Sequence, residues 1–576
     1  MGISDEEWGR LQKAIGWPIP DQEITHLNQS TSPGHSTFSI VGLKESYKVR
    51  EKISVIITAT TTSKNLKRYG GDFFKAKLFN ADLNDEEWGR LQKAIDWPIP
   101  DQEITHLNQS TSPGHSTFSI VGLKETQYYI LCLRLKALKM YLPTDISFLH
   151  YTCSFPFFLK ASVYGEVVDH RNGTYSVALL LHWEGQAQVS VRLEHSSEVV
   201  QILKKYRESS FPRSHYNGYF EGPGLNKTKI HEVVECNLKW GADGSWRKGD
   251  CCCEYKDIKT GTVWQCERPK ELSCDKLVHH SYGRLESPLH LFEQQLFTKK
   301  VTYQMICNNR QSTMEKCRSG MTTPVPAGFY LNDVWKSFVC NTRQFSPAQM
   351  GNCLKNKIVY LMGDSTTRQW FEYLERNVPG KCIKRMDLHT PPAGGPLMAV
   401  ELKYNIIIHW RPHGVPLRFS KMPITDLHYI NNDIDEIAGG PHAVVVFTLF
   451  AHLVFHPITF YVYEVAKIRQ SVVALLSRAP ETTVIINLCH NNTLSNANMK
   501  HYLLGMKDLL HIDGVIFLDV WQMTSCHYLR EHIHPRPVII ANEVNMFLSY
   551  VSPSCGLFNW ILFHRENGKL TWSREG

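Results

Sequence analysis

The amino-acid sequence predicts a three-layer α/β domain in the C-terminal part of the chain, preceded by an all-β sandwich. Three observations carry this. From Lys357 onward, short runs rich in Val, Ile and Leu alternate with helical segments, the pattern of a mostly parallel sheet covered on both faces. Before that, strand-forming runs are punctuated by turn signals, as in an antiparallel β domain. The chain's 576 residues, 43% of them hydrophobic, are too many for a single core, so two or three domains are expected.

At the N-terminal end, residues 5–45 recur at 85–125, and the one difference is that Gly16 becomes Asp96. Solenoid repeats diverge and come in threes or more, so two near-identical copies point instead to a recent duplication or an error in the gene model. After the first copy, Ser54-Val-Ile-Ile-Thr-Ala-Thr reads as strand and Arg68-Tyr-Gly-Gly-Asp-Phe-Phe as a turn. The second copy lacks this continuation and runs into an irregular aromatic stretch. Strand patterning resumes at Ala161 and at Thr174. Removing residues 84–159 would leave one continuous sandwich.

The expected division therefore assigns residues 1–83 to the first part of the β domain and 84–159 to an insertion with the duplicated segment. Residues 160–235 complete the β domain, 236–352 form a cysteine-rich linker region, and 353–566 form the α/β domain. Either the insertion loops out, or the second copy displaces the first from its sheet.

Sixteen cysteines are present, more than half of them between Cys236 and Cys382, which reads as disulfide stapling in an oxidising compartment. Paired Cys-x-x-Cys knuckles are lacking, so no metal is expected. Asn28, Asn108, Asn172, Asn226 and Asn491 begin glycosylation tripeptides, in keeping with secretion or a secretory-pathway lumen. No signal sequence is visible at the start of the chain, and the apolar stretch at 128–142 is broken by Arg134, Lys136 and Lys139, so no membrane span is expected. The formal charge of +8 is modest, and without basic runs interleaved with aromatics no nucleic-acid partner is implied. No nucleotide-binding glycine motif occurs in a strand–turn–helix context, so no cofactor is expected either.

Thr37-Phe-Ser-Ile-Val-Gly-Leu, Tyr69-Gly-Gly-Asp-Phe-Phe, Asp169-His-Arg-Asn-Gly-Thr-Tyr-Ser and Leu181-His-Trp-Glu-Gly-Gln together resemble the neurexophilin-type immunoglobulin-like domain. Placed ahead of Gly363-Asp364-Ser365, this arrangement resembles the NXPE family, which pairs a neurexophilin domain with a PC-esterase domain.

In the C-terminal part, Lys357-Ile-Val-Tyr-Leu-Met is a strand that ends at Gly363-Asp364-Ser365, and a helix follows. This lifts Ser365 onto the carboxyl edge of a sheet, with its backbone N–H at a helix N-terminus where an oxyanion is stabilised. The extension Gly-Asp-Ser-x-x-Arg, ending at Arg368, resembles the first block of PC-esterase-like SGNH hydrolases. Arg368 is expected to pair with an acid near the site or to contact an anionic substrate. Runs at 443–449, 483–488 and 514–521 are further strand candidates, with a helix expected at 463–478.

A serine nucleophile needs an imidazole base, itself oriented by an acid. The resemblance implies His534 as base, followed by Pro535 as in the family, and Glu531 as the acid three residues earlier, where Asp is usual. Asp519 is the alternative acid. His532 is read as a loop residue, and a metal site from His527, His532 and His534 is set aside. The oxyanion hole departs furthest from the family: Phe450 stands where the related Leu-Gly-Gln-His-Phe block has Gly. The further candidates are the Ser365 amide and the side chains of Asn487, Asn491 and Asn492, among which the sequence does not choose.

Two functions follow. The first is serine acyl-esterase or O-acetyltransferase chemistry, for which the resemblance implies O-acyl groups of a glycan or glycoconjugate as substrate. The second is a secreted binding glycoprotein, weakened or inactive as an enzyme, that engages a cell-surface protein through its neurexophilin-like domain.

Overall fold

The computed structural model describes residues 4–15, most of 26–79, 161–303 and 315–552, and parts of a hairpin at 564–571; breaks include 241–250, 379–383, 388–395, 414–420, 450–451, 489–509 and 528–533. The expected insertion at 84–159 lies outside these residues, as do Asn108, Asn226, Phe450, Asn491, Asn492, Glu531 and His532.

The chain is rich in β structure and forms several sheets. In the first, β1 (Thr37–Ile40), β2 (Lys52–Thr58), β3 (Phe73–Phe79), β4 (Ser162–Asp169), β5 (Thr174–Leu180) and β6 (Gln188–His195) run in the order β1-β2-β5-β4-β3-β6. β1 belongs to the first of the two sequence copies and pairs antiparallel with β2, Phe38 opposite Ile57. Buried and less buried positions alternate along β2 and β5, as a strand with one covered face requires. β4 changes partner midway: Ser162 to Gly165 pair with β3, and Glu166 to Asp169 pair with β5. Strands on both sides of that switch bury one core, including Ile53, Val55, Leu78, Val177 and Val191.

The second sheet contains β7 (Ser214–Pro223), β8 (Lys229–Lys239), β9 (Cys252–Lys256), β10 (Val263–Glu267) and β11 (Leu277–Leu285). Much of the stretch read as a cysteine-rich linker is thus sheet, stapled by Cys236–Cys266, Cys253–Cys274 and the adjacent pair Cys251–Cys252. Cys236 and Cys266 face each other across β8 and β10. Gly218 leaves room for their bridge, since a Cβ there would lie 2.3 Å from the Cys236 sulfur. A further disulfide joins Cys317 to Cys340. β12 (Thr302–Tyr303), β13 (Gly328–Leu331) and β14 (Val334–Ser337) return to the first sheet, β13 pairing with β4.

The third sheet holds the C-terminal part together. Its strands are β15 (Ile358–Gly363), β16 (Lys384–Asp387), β17 (Leu397–Glu401), β18 (Ile406–Pro412), β20 (Ala443–Phe447), β21 (Thr483–Leu488) and β22 (Ile516–Asp519). The two-residue β19 (Met422–Pro423) joins the second sheet instead. The order is β16-β17-β18-β15-β20-β21-β22, with β18 to β22 mutually parallel through β15. β15 and β20 are covered on both faces, which is why their sequences are nearly continuous apolar runs. On one face Val445, Phe447 and Ile486 pack with Phe460, Val465 and Ile468 of the Ile458–Arg478 helix. On the other, Val444, Val446 and Ile485 pack with Trp370, Phe371 and Leu374 of the Ser365–Asn377 helix and with Val544 and Phe547 of the Pro537–Val551 helix.

Two boundaries differ from the sequence reading. The long helix starts at Ile458, five residues before the expected Tyr463, because Pro457 serves as its N-cap and Ile458 and Phe460 are already buried. The last strand covers only Ile516–Asp519, and Trp521 opens the short Trp521–Cys526 helix, whose residues are all buried.

Candidate active site

Ser365 sits at the junction the sequence anticipates, between β15 and the Ser365–Asn377 helix. Gly363 makes the turn. Its φ of +147° suits glycine, and a Cβ would meet the Thr448 methyl at 2.6 Å. Asp364 is the helix N-cap, and its buried carboxylate accepts from the Thr366 amide at 2.8 Å and the Thr366 hydroxyl at 2.6 Å. The cap therefore takes the Thr366 amide rather than that of Ser365, the first residue of the helix.

His534 Nε2 lies 2.8 Å from Ser365 Oγ, although 169 residues separate the two. Ser365 is partly exposed and His534 exposed, so the pair is open to solvent. The imidazole is placed by the chain on its C-terminal side. Gln369, one turn along the serine's helix, donates through Nε2 to the Pro535 carbonyl at 3.0 Å. Trp370 Nε1 donates to Glu543 Oε2 at 2.7 Å, tying that helix to Pro537–Val551.

Next to the turn lies a pair of rings that sequence reasoning did not single out as a unit. His413 follows β18, donates its backbone N–H to the Gly363 carbonyl at 3.2 Å, and is buried. Its Nε2 is 3.1 Å from Nδ1 of His452, in the loop after β20. Burial opposes ionisation of Asp364, but the His452 ring, the Thr366 hydroxyl, the His413 ring and the Thr366 amide outweigh it and hold the carboxyl below its usual range. His452 had appeared only as part of the aligned block with Phe450; His413 carried no signal.

The remaining expected residues separate. Asn487 is the last but one residue of β21 and is fully buried, with neither amide atom hydrogen-bonded among the described residues. Asp519 accepts from the Trp521 amide at 3.2 Å. Arg368 pairs with Glu372 on its own helix at 2.9 Å and lies over the Trp410 ring. His527 is buried against the first sheet, its ring edge-on to Tyr330, and burial pushes its pKa down. Asn28 and Asn172 are exposed, the latter accepting from the Thr174 hydroxyl of its own tripeptide at 2.6 Å.

One group of metal-ligand residue types gathers among the described residues, Cys236, Cys266 and His280, but its two sulfurs are bonded to each other and offer no thiolate. No helix of the described residues is long and apolar enough to cross a membrane.

Two family profiles match the chain. Residues 335–552 match the NXPE family member 4-like C-terminal domain, a span that includes Ser365, His413, His452 and His534. Residues 139–287 match Neurexophilin, covering β4 to β11. With both domains in this order, the chain belongs to the NXPE family.

Proposed function

We propose that this chain is a secretory-pathway glycoprotein with serine acyl-esterase or O-acetyltransferase chemistry on carbohydrate O-acyl groups. The 2.8 Å approach of Ser365 Oγ to His534 Nε2, at the end of a parallel strand and the start of a helix, carries this reading. In this reading the C-terminal sheet is a three-layer α/β SGNH-type fold, and the N-terminal strands are an immunoglobulin-like sandwich.

Ser365 Oγ attacks the acyl carbonyl carbon while its proton passes to His534 Nε2. The carbonyl oxygen becomes an oxyanion, held by the Ser365 N–H at the helix N-terminus and by an asparagine amide, that of Asn487, Asn491 or Asn492. Collapse breaks the bond to the leaving oxygen, which takes the proton from His534. The acyl-enzyme is then attacked by water, in hydrolysis, or by a sugar hydroxyl, in transfer, with His534 again accepting the proton; the bond from the acyl carbon to Ser365 Oγ breaks as that proton passes to Oγ, releasing the acid or the new ester. Glu531 orients the imidazole and stabilises its charged form; Asp519 is the less favoured acid, because its carboxylate is engaged with the Trp521 amide. The disulfides suit an oxidising lumen, and exposed Asn172 on the turn between β4 and β5 is a fitting glycosylation acceptor.

A second reading, a binding glycoprotein with a weakened or inactive site, is favoured by Phe450 in place of the family's Gly. One experiment separates the two. Purified protein and its Ser365→Ala variant are incubated with an activated acetyl ester and, separately, with acetyl-CoA, and intact masses are measured. An acetyl adduct on Ser365, missing from the variant, supports the enzyme. No adduct on folded protein sinks it in favour of the binder.

A further inference from the structure

Ser365 and Gln369 stand four residues apart on one helix, so their side chains lie one above the other on the same face. Each reaches the same short stretch of chain. Ser365 Oγ meets His534 Nε2 at 2.8 Å, and Gln369 Nε2 donates to the carbonyl of the next residue, Pro535, at 3.0 Å. The serine, its base, the proline and the glutamine thus close a ring through two hydrogen bonds, one helical turn and one peptide bond.

The proline lets the second contact act on the first. An exposed imidazole whose backbone is free samples many positions, and His534 is exposed. Between the held carbonyl and the His534 Cα, however, little can turn: the Pro535 ring fixes φ at about −65°, the peptide bond is planar, and a residue before proline is confined to extended conformations. On the far side Arg536 is also extended, with φ −67° and ψ 155°, and Pro537 opens the Pro537–Val551 helix. That helix is fastened to the serine's helix by the buried Trp370–Glu543 hydrogen bond and by Phe547, whose ring centroid lies 5.5 Å from that of Trp370. The lead-in His534-Pro535-Arg536-Pro537 is therefore a stiff arm with one end in the core, and Gln369 holds it beside the base.

We propose that Gln369 is a positioning residue for His534, acting through the Pro535 carbonyl, so that one turn of helix both presents the nucleophile and sets the place of its base. This rests on the reading of Ser365 and His534 as nucleophile and base. The Gln369 carboxamide acts on the backbone beside the imidazole rather than on the reacting atoms, so it governs the rate of proton transfer and leaves substrate affinity alone.

The test uses the full chain and the variants Gln369→Met and Gln369→Glu, which keep the length of the side chain but offer no donor at neutral pH. His534→Ala is the reference, and Arg376→Met, which removes an exposed pair with Glu372 further along the same helix, is the control. An alkyl fluorophosphonate is the probe: Ser365 Oγ bonds to phosphorus, the P–F bond breaks, fluoride leaves, and the serine proton passes to His534. The maximal labelling rate, the half-saturating probe concentration and the melting temperature are read. Displacing a catalytic group by about 1 Å costs on the order of 100-fold, so both Gln369 variants are expected to lower the maximal rate about 10-fold to 100-fold at an unchanged half-saturating concentration. Their melting temperatures follow the parent's, and the control labels as wild type. Wild-type maximal rates in both variants overturn the proposal, as does a change confined to the half-saturating concentration, which would make Gln369 a probe-binding residue. If the wild-type protein does not label, or His534→Ala labels as fast as wild type, the nucleophile and base reading falls and the positioning role falls with it. Labelling lost in His534→Ala but kept in the Gln369 variants removes the positioning role alone. Gln369→Glu, the closer in shape, carries the test by itself if Gln369→Met fails to fold.

Discussion

Nε2 of His413 and Nδ1 of His452 lie 3.1 Å apart beside the turn that presents Ser365, joining the carboxyl ends of β18 and β20. A hydrogen bond between two imidazoles needs one ring to donate and the other to accept. The His413 backbone N–H also holds the Gly363 carbonyl, so the pair ties the turn to the loop that carries Phe450.

Removing one ring takes away this hydrogen bond between the two loops. His452→Ala is expected to cost about 1 kcal/mol of stability, the net worth of one hydrogen bond, while His452→Gln recovers part of it. Urea midpoints of the two variants and the parent measure this; equal midpoints would show that the ring contact contributes nothing.

Asn487 is buried with both amide atoms unpaired among the described residues, a cost that an apolar residue of similar size would not carry. If the site uses it as an oxyanion donor, Asn487→Leu lowers Ser365 acylation by about 100-fold to 1,000-fold. Its folding stability stays equal or rises. Loss of stability without loss of rate would assign the residue to the core alone.

His280 is wholly buried, stacked on Trp264 with centroids 4.1 Å apart. Burial pushes its pKa down from 6.5 to about 4, against the Asn217 carbonyl and with help from the neighbouring His279 charge. Between those values the unfolded chain takes up a proton that the folded chain refuses. Stability therefore falls as pH drops from about 6.5 to about 4, by roughly 3 kcal/mol from this group, and not further below. Denaturant titrations at pH 7.5 and 5.0 should show a smaller difference for His280→Phe than for the parent.

The Cys236–Cys266 bridge spans 30 residues and faces Gly218. The double variant Cys236→Ala/Cys266→Ala is expected to lose about 3–4 kcal/mol, mainly through a freer unfolded chain. Thermal unfolding under non-reducing conditions checks this, and Gly218→Ala should be unfavourable only while the bridge is intact.

What the sequence determined by itself is local. An apolar run ending in Gly363-Asp364-Ser365, with an Asx-type cap and a polar–apolar helical pattern behind it, needs only neighbouring residues to form strand, turn and helix. The strand at Thr483–Leu488 was legible for the same reason, since buried parallel strands are marked by their composition. The cysteine crowding gave stapling but not pairing, because connectivity depends on which strands lie side by side. Tertiary structure alone decided that His413 joins His452, that β13 returns to pair with β4, and that Lys77 reaches the His527 carbonyl 450 residues away. Such contacts follow from how sheets and helices pack, and packing is set by surfaces assembled from distant segments, which no single stretch of sequence displays.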